Sequence, residues 1–169
     1  METFRKYFCW KRTARKSDIT KVLLSPITLE EELTHISWKT CIPYVPPVHT
    51  GKVIKVYDGD TITIATKLPF EKDTIYRFPV RLTGIDSAEI KGKTEHEKRL
   101  AVLARDALSA KILGKMVELR NVGTEKYGRL LADVYLDGVH INQWMLENKY
   151  AVAYNGGTKA PTESWNMIV

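Results

Sequence analysis

The segment Arg81-Leu82-Thr83-Gly84-Ile85-Asp86-Ser87-Ala88-Glu89 gathers an arginine, an aspartate and a glutamate at what reads as one strand end. Asp58-Gly59-Asp60-Thr61 lies upstream of it and Lys126-Tyr127-Gly128-Arg129 downstream. Together the three clusters hold the parts that metal-assisted phosphodiester cleavage requires. Hard carboxylate oxygens can hold a divalent cation, a further carboxylate can position or deprotonate water, and two guanidinium forks can neutralise a pentacoordinate phosphate. Taken one at a time, each cluster has a plainer reading: Asp58-Gly59-Asp60 as a hairpin turn, Asp86 as a loop cap, Glu89 as a solvated charge. The combination with Arg81 and Arg129 shifts the balance, because a planar donor fork matches a phosphoryl oxygen in a way that lysine does not.

Those residues need a frame, and the pattern around them supplies one. β-Branched runs at 52–57 and 61–65 flank Asp58-Gly59-Asp60, and Phe78, Val80 and Leu82 alternate with Arg77, Pro79 and Arg81, which predicts three strands with Arg81 off the core face. Thr94-Glu95-His96-Glu97 has capping-box spacing. It is followed by a stripe of Leu100, Leu103, Ala104, Ala107, Leu108 and Ile112 ending at Gly114, which predicts a long helix. Two more strands are predicted over 116–122 and 130–136, then a tight turn at Asp137-Gly138 before Val139-His140-Ile141 and a second helix from about 142 to 148. Five short strands with a helix between the third and fourth fit an OB-type barrel, a fold that binds oligonucleotides on one face without thereby being an enzyme.

At 169 residues and 44% apolar content, the chain has room for one domain and some flanking sequence. Composition changes at Pro43-Tyr44-Val45-Pro46-Pro47, which places the boundary between an extension over 1–48 and a domain over 49–169. The extension opens with six basic residues against one acidic residue in its first 16. Thr28-Leu29-Glu30-Glu31, with Leu29, Leu33 and Ile36, predicts a short helix over about 28–37. The net charge of +6 favours an anionic partner, nucleic acid or an acidic membrane surface. Cys9 and Cys41 form no metal or disulfide pattern, no run approaches the ~20 apolar residues of a membrane helix, and the N-terminal residues lack a signal-peptide core. A soluble, intracellular protein is expected.

Over residues 51–154 the order of motifs resembles the staphylococcal nuclease-like, or thermonuclease, family. The family order is Asp-Gly-Asp-Thr, Arg-Leu-x-Gly-Ile-Asp-x-x-Glu, an alanine-rich helix, Lys-Tyr-Gly-Arg-x-Leu-Ala and Asp-Gly-x-x-Ile-Asn, and each motif stands in this chain. The resemblance implies an α+β fold, a five-stranded OB barrel with about three helices, and calcium-dependent cleavage of DNA and RNA to 3′-phosphate ends. It implies that Asp60, Asp86 and the Ser87 main-chain carbonyl hold calcium, with Asp58 in the outer coordination sphere. It further implies that Glu89 orients or deprotonates water, that Arg81 and Arg129 clamp the phosphate, and that Lys126, Tyr127 and Tyr154 contact substrate. Ser87-Ala88 departs from the Thr-Pro of the best-known members, which alters loop rigidity and keeps the carbonyl available. The hairpin over 67–76 and the loop over 90–93 also differ, so groove contacts there do not transfer.

The rival reading is a non-catalytic binding module of the same fold; such copies typically lose the acidic and arginine residues, all of which stand here. A third has residues 1–48 tether the domain to an anionic partner. His35, His49, His96 and His140 are scattered without zinc spacing, and Trp144 and Trp165 read as packing side chains.

Overall fold

The computed structural model describes residues 28–92 and 94–157. The chain divides into two compact units between Ile42 and Pro43. The basic segment over 1–16, Cys9 and Trp165 lie outside the described residues.

The described part of the first unit carries helix α1 (Leu29–Leu33). Its capping box forms as the spacing predicts: the Thr28 hydroxyl accepts from the Glu31 amide at 3.3 Å, and the Glu31 carboxylate accepts from the Thr28 amide at 2.8 Å. The helix is shorter than expected, and Leu29, Leu33 and Ile36 are all exposed. Without a buried stripe a five-residue helix has little to propagate it. Ser37 and Thr40 then bond each other instead, the Ser37 amide to the Thr40 hydroxyl and that hydroxyl to the Ser37 carbonyl, both at 2.9 Å.

In the second unit β1 (Thr50–Val56), β2 (Thr61–Leu68), β3 (Glu71–Leu82) and the two-residue β4 (Ile85–Asp86) precede helix α2 (Glu95–Ile112). Then come β5 (Met116–Thr124), β6 (Leu130–Leu136), β7 (Val139–His140), α3 (Ile141–Glu147) and β8 (Val152–Ala153). The sheet runs β3-β2-β1-β5-β6-β7, and a parallel pairing of Val80, Arg81 and Leu82 with Leu130, Leu131 and Ala132 closes it into a five-stranded barrel of β1, β2, β3, β5 and β6. This is the α+β OB barrel that the motif order implies. Closure removes the open sheet edges.

Inward residues alternate as a period of two requires: Val53, Ile62, Ile64, Val80, Leu82, Leu119, Ala132 and Val134 are buried. Helix α2 lays Leu100, Ala101, Ala104, Leu108 and Ile112 inward. Leu103, placed on the buried stripe by the sequence pattern, is instead 53% exposed, because the inward arc of the helix runs through Ala101 and Ala104. Gly114 takes φ +77°, the left-handed conformation that ends a helix. At the other end of the chain, the Asn142 carboxamide accepts from the Val134 amide at 2.9 Å and donates to the Thr83 and Ala132 carbonyls at 2.9 and 3.2 Å. One buried side chain thereby fastens α3 to β6 and to the turn that follows β3. Among the described residues, no helix is long and apolar enough to cross a membrane.

Candidate active site

The three clusters meet at one end of the barrel because the register brings them there. Asp58-Gly59-Asp60 is the connection between β1 and β2, tied by the Tyr57 amide donating to the Thr61 carbonyl at 2.8 Å. It is a turn as well as a carboxylate carrier. A Cβ on Gly59 would lie 2.8 Å from the Cβ atoms of both Ala104 and Ser87, so only glycine lets α2 and the Ser87 segment close over the turn. Arg81 pairs with Thr61 across β2 and β3. The chain then turns through Thr83-Gly84 into β4, which pairs with β8, placing Asp86 beside Arg81 and bringing Tyr154 under it. Sequence patterning had no signal for these two-residue strands.

Asp60, Asp86 and Ser87 are buried to 2%, 0% and 3% exposure. Arg81 bridges the carboxylates, Nη1 to Asp60 Oδ1 at 3.0 Å and Nη2 to Asp86 Oδ1 at 2.7 Å. Asp60 also accepts from the Thr61 hydroxyl at 2.8 Å and, through Oδ2, from the Ser87 amide at 3.1 Å. The Asp58 carboxylate accepts from the Asp60 amide at 3.2 Å. Burial, and then the charge of Asp58, push the Asp60 carboxyl up to about 6 against the opposing pull of Arg81, Thr61 and Ser87. Burial alone would lower the Arg81 guanidinium, and Asp60 and Asp86 outweigh it and raise it.

Arg129 precedes β6, placed by a β5–β6 turn in which Gly128 takes φ +80°. Its Nη1 lies 3.4 Å from the Thr61 hydroxyl, and its Nε donates to Glu125. Thr61 therefore links Asp60 to Arg129. Glu89 follows β4 on an exposed loop turned by the Gly92 amide donating to its carbonyl at 2.8 Å. A cleft of about 300 Å³ is lined by Asp58, Asp60, Arg81, Ser87, Glu89 and Arg129, with Tyr57, Ile90 and Lys91 at its edges. Of the residues named for metal and phosphate chemistry, Asp86 alone does not line this cleft; it is fully buried beneath it and bonded to Arg81, which does.

The residues named for substrate contact divide. Lys126 and Tyr154 line an adjoining cleft of about 490 Å³ that shares Arg81, with the Arg81 guanidinium 5.7 Å from the Tyr154 ring centre. Tyr127 is 72% exposed, lies outside both clefts and packs its ring under Lys126. Three contributors had no assigned role in the sequence reading: Thr61, Glu125 and Asn142. Glu125 was hidden because a turn glutamate carries no chemical signature of its own; Thr61 and Asn142 stood in recognised motifs, and only the fold shows what they tie together.

The donor set suits a hard cation. Asp58, Asp60 and Asp86 all act on one guanidinium, that of Arg81, so carboxylate charge is in excess around it. Among the described residues no three His, Cys, Asp or Glu side chains group closely enough to hold a metal ion alone. A cation on Asp60 and Asp86 would complete its shell with main-chain oxygen, water and phosphate.

Residues 79–167 match the family model described as staphylococcal nuclease homologue. An uncharacterized endonuclease from Escherichia coli is 31% identical over 105 residues, 62% of this chain and 60% of its own. One from Haemophilus influenzae is 34% identical over 106 residues, 63% and 53% of the two chains. An uncharacterized Bacillus anthracis protein is 33% identical over 105 residues, 60% and 46%. The chain therefore spans about half to three fifths of the length of these relatives. The family match begins just before Arg81 and takes in Asp86, Glu89 and Arg129, while Asp58 and Asp60 reach the same cleft from the preceding hairpin. On that match and on the closed barrel, the chain belongs to the staphylococcal nuclease family.

Proposed function

We propose that the protein is a calcium-dependent endonuclease that hydrolyses phosphodiester bonds of DNA and RNA, leaving 3′-phosphate and 5′-hydroxyl ends. The observation that carries this reading is the buried Asp60-Arg81-Asp86 bridge opening into a cleft that Glu89 and Arg129 also line. Asp60, Asp86 and the Ser87 carbonyl would hold the ion, with Asp58 in its outer coordination sphere. When bound, calcium supplies Lewis-acid polarisation of a phosphoryl oxygen and a template for the substrate. Glu89, exposed at the cleft, orients water and accepts its proton as the water oxygen bonds to phosphorus. Arg81 and Arg129 donate to the phosphoryl oxygens as their charge grows, and the bond from phosphorus to the 5′ oxygen breaks. That oxygen takes a proton at the open side of the cleft. Lys126 and Tyr154, on the adjoining cleft that shares Arg81, contact the nucleotide beside the scissile bond.

Cleavage by Asp60→Ala protein, with circular dichroism to monitor the fold, tests the reading. Loss of calcium-dependent cleavage in a folded variant is expected. Undiminished cleavage by that variant contradicts the assignment, and wild-type protein that binds nucleic acid without cutting it favours a binding module.

A further inference from the structure

Outward from the cleft, the face of β1, β2 and β3 carries a second feature that no catalytic role uses. Thr61 pairs with Arg81 at the cleft. Two residues further along, Lys55, Thr63 and Pro79 stand side by side across the three strands, and beyond them Lys52, Ala65 and Arg77 do the same. Val53, Ile62, Ile64 and Val80 point into the core, so the alternation puts these rows on the outer surface with Arg81. Lys52, Lys55 and Arg77 are exposed, while Thr63 and Ala65 are half-buried, making a low floor between basic walls. A shift of register between Val53 and Lys55 turns Lys55 to this side.

The charges here differ in kind from those in the cleft. Arg81 and Arg129 are both bound to carboxylates, whereas among the described residues no carboxylate forms an ion pair with Lys52, Lys55 or Arg77. Tyr57, 54% exposed, joins the rows to the cleft: it lines the cleft, and the Lys55 ammonium lies 5.6 Å from its ring centre. Strand rise sets the rows about 7 and about 14 Å from Arg81. That repeat is close to the spacing of successive phosphates in an extended nucleic-acid strand.

We propose that this face is a substrate track, on which a single extended strand leaves the cleft past Tyr57 and Lys55 and is held by Lys52 and Arg77 two nucleotides from the scissile phosphate. The track rests on the nuclease reading of the cleft. Its contacts are to the backbone, so it adds affinity without base specificity and without stabilising the transition state. A linear row of charges that begins at the phosphate-binding arginine suits a strand better than a membrane surface, which has no need of that alignment.

The test is the triple variant Lys52→Ala, Lys55→Ala, Arg77→Ala, compared with wild type on a single-stranded dodecamer and on a dinucleotide. On the dodecamer, KM is expected to rise about tenfold and the slope of log affinity against log salt to flatten by about 2, three contacts at ~0.7 each. On both substrates kcat stays within about twofold, and KM for the dinucleotide is unchanged, because it ends before the track. An unchanged dodecamer KM and salt slope, or equal loss on both substrates, overturns the track. So does loss of binding to phosphatidylserine vesicles with the dodecamer constants intact. If wild-type protein cuts neither substrate, dodecamer anisotropy reads the track alone: a flattened slope in the variant supports it while the nuclease reading fails, and an unchanged slope overturns it.

Discussion

Arg81 carries two loads at once, balancing Asp60 and Asp86 in the fold and donating to phosphate in the proposed reaction. Arg81→Ala leaves two buried carboxylates facing each other, so the metal-free variant is expected to lose about 3 kcal/mol of stability, with calcium restoring part of it. Thermal unfolding with calcium and with chelator checks both. Asp60 also sets a pH dependence. Its carboxyl is raised from 3.8 to about 6 in the metal-free fold. The raised value favours the fold fully below about pH 4, and that contribution is lost as pH rises through about 6. In the other direction, protons compete with calcium for Asp60 in the folded protein, and apparent calcium affinity is expected to fall by up to tenfold per pH unit below about pH 6. Calcium titrations at stepped pH measure this; an affinity flat from pH 7 to 5 would remove Asp60 from the ion. At Arg129, lysine keeps the charge and loses the fork that reaches Thr61 and Glu125, so Arg129→Lys is expected to slow kcat by about a hundredfold. Wild-type kcat in that variant would mean that charge alone acts there.

The elements that hold these residues fall into those that periodicity reveals and those that it does not. Gly59→Ala forces a Cβ into contacts of 2.8 Å with Ala104 and Ser87, and is expected to cost about 1–3 kcal/mol and loosen the Ser87 amide from Asp60. A left-handed turn is not the reason for this glycine, since Gly59 is absent from the positive-φ glycines. Asn142→Ala strips three hydrogen bonds from buried backbone and is expected to cost about 2–4 kcal/mol, read by denaturant unfolding. The five barrel strands and α2 were legible because each alternates or repeats over enough residues to show its inner face. The pair β4 and β8 was not: two residues have no period, and their pairing joins positions that only the closed barrel brings together. Leu103 misled for a related reason, since a stripe shows which residues share an arc but not where the inward arc is centred. Of the site, the carboxylates and arginines could be read from residue chemistry and motif order. Thr61 and Glu125 could not, because their part depends on which side chains the register sets opposite them.

At the scale of the whole molecule, a closed barrel presents one end to chemistry and one face to a strand, and the two are continuous through Tyr57. Such a surface ties affinity to the length of substrate and to salt, while the rate at saturation depends on the cleft alone. Residues 1–16 add six basic groups against one acidic group, and we propose that they extend this electrostatic reach; a chain lacking residues 1–40 should then show a flatter salt slope and an unchanged kcat, where a lower unfolding midpoint with the slope intact would make them part of the fold instead. In the proposed reaction Glu89 acts on water in a calcium-loaded cleft. The most direct measurement is single-turnover cleavage of an end-labelled single-stranded oligonucleotide by wild type and by Glu89→Gln, each in calcium and in excess chelator. Wild type is expected to cut in calcium only, with 3′-phosphate ends, and Glu89→Gln to cut more slowly by about 10²–10⁴ at similar affinity; full cutting in chelator, or a Glu89→Gln rate equal to wild type, would rule this mechanism out.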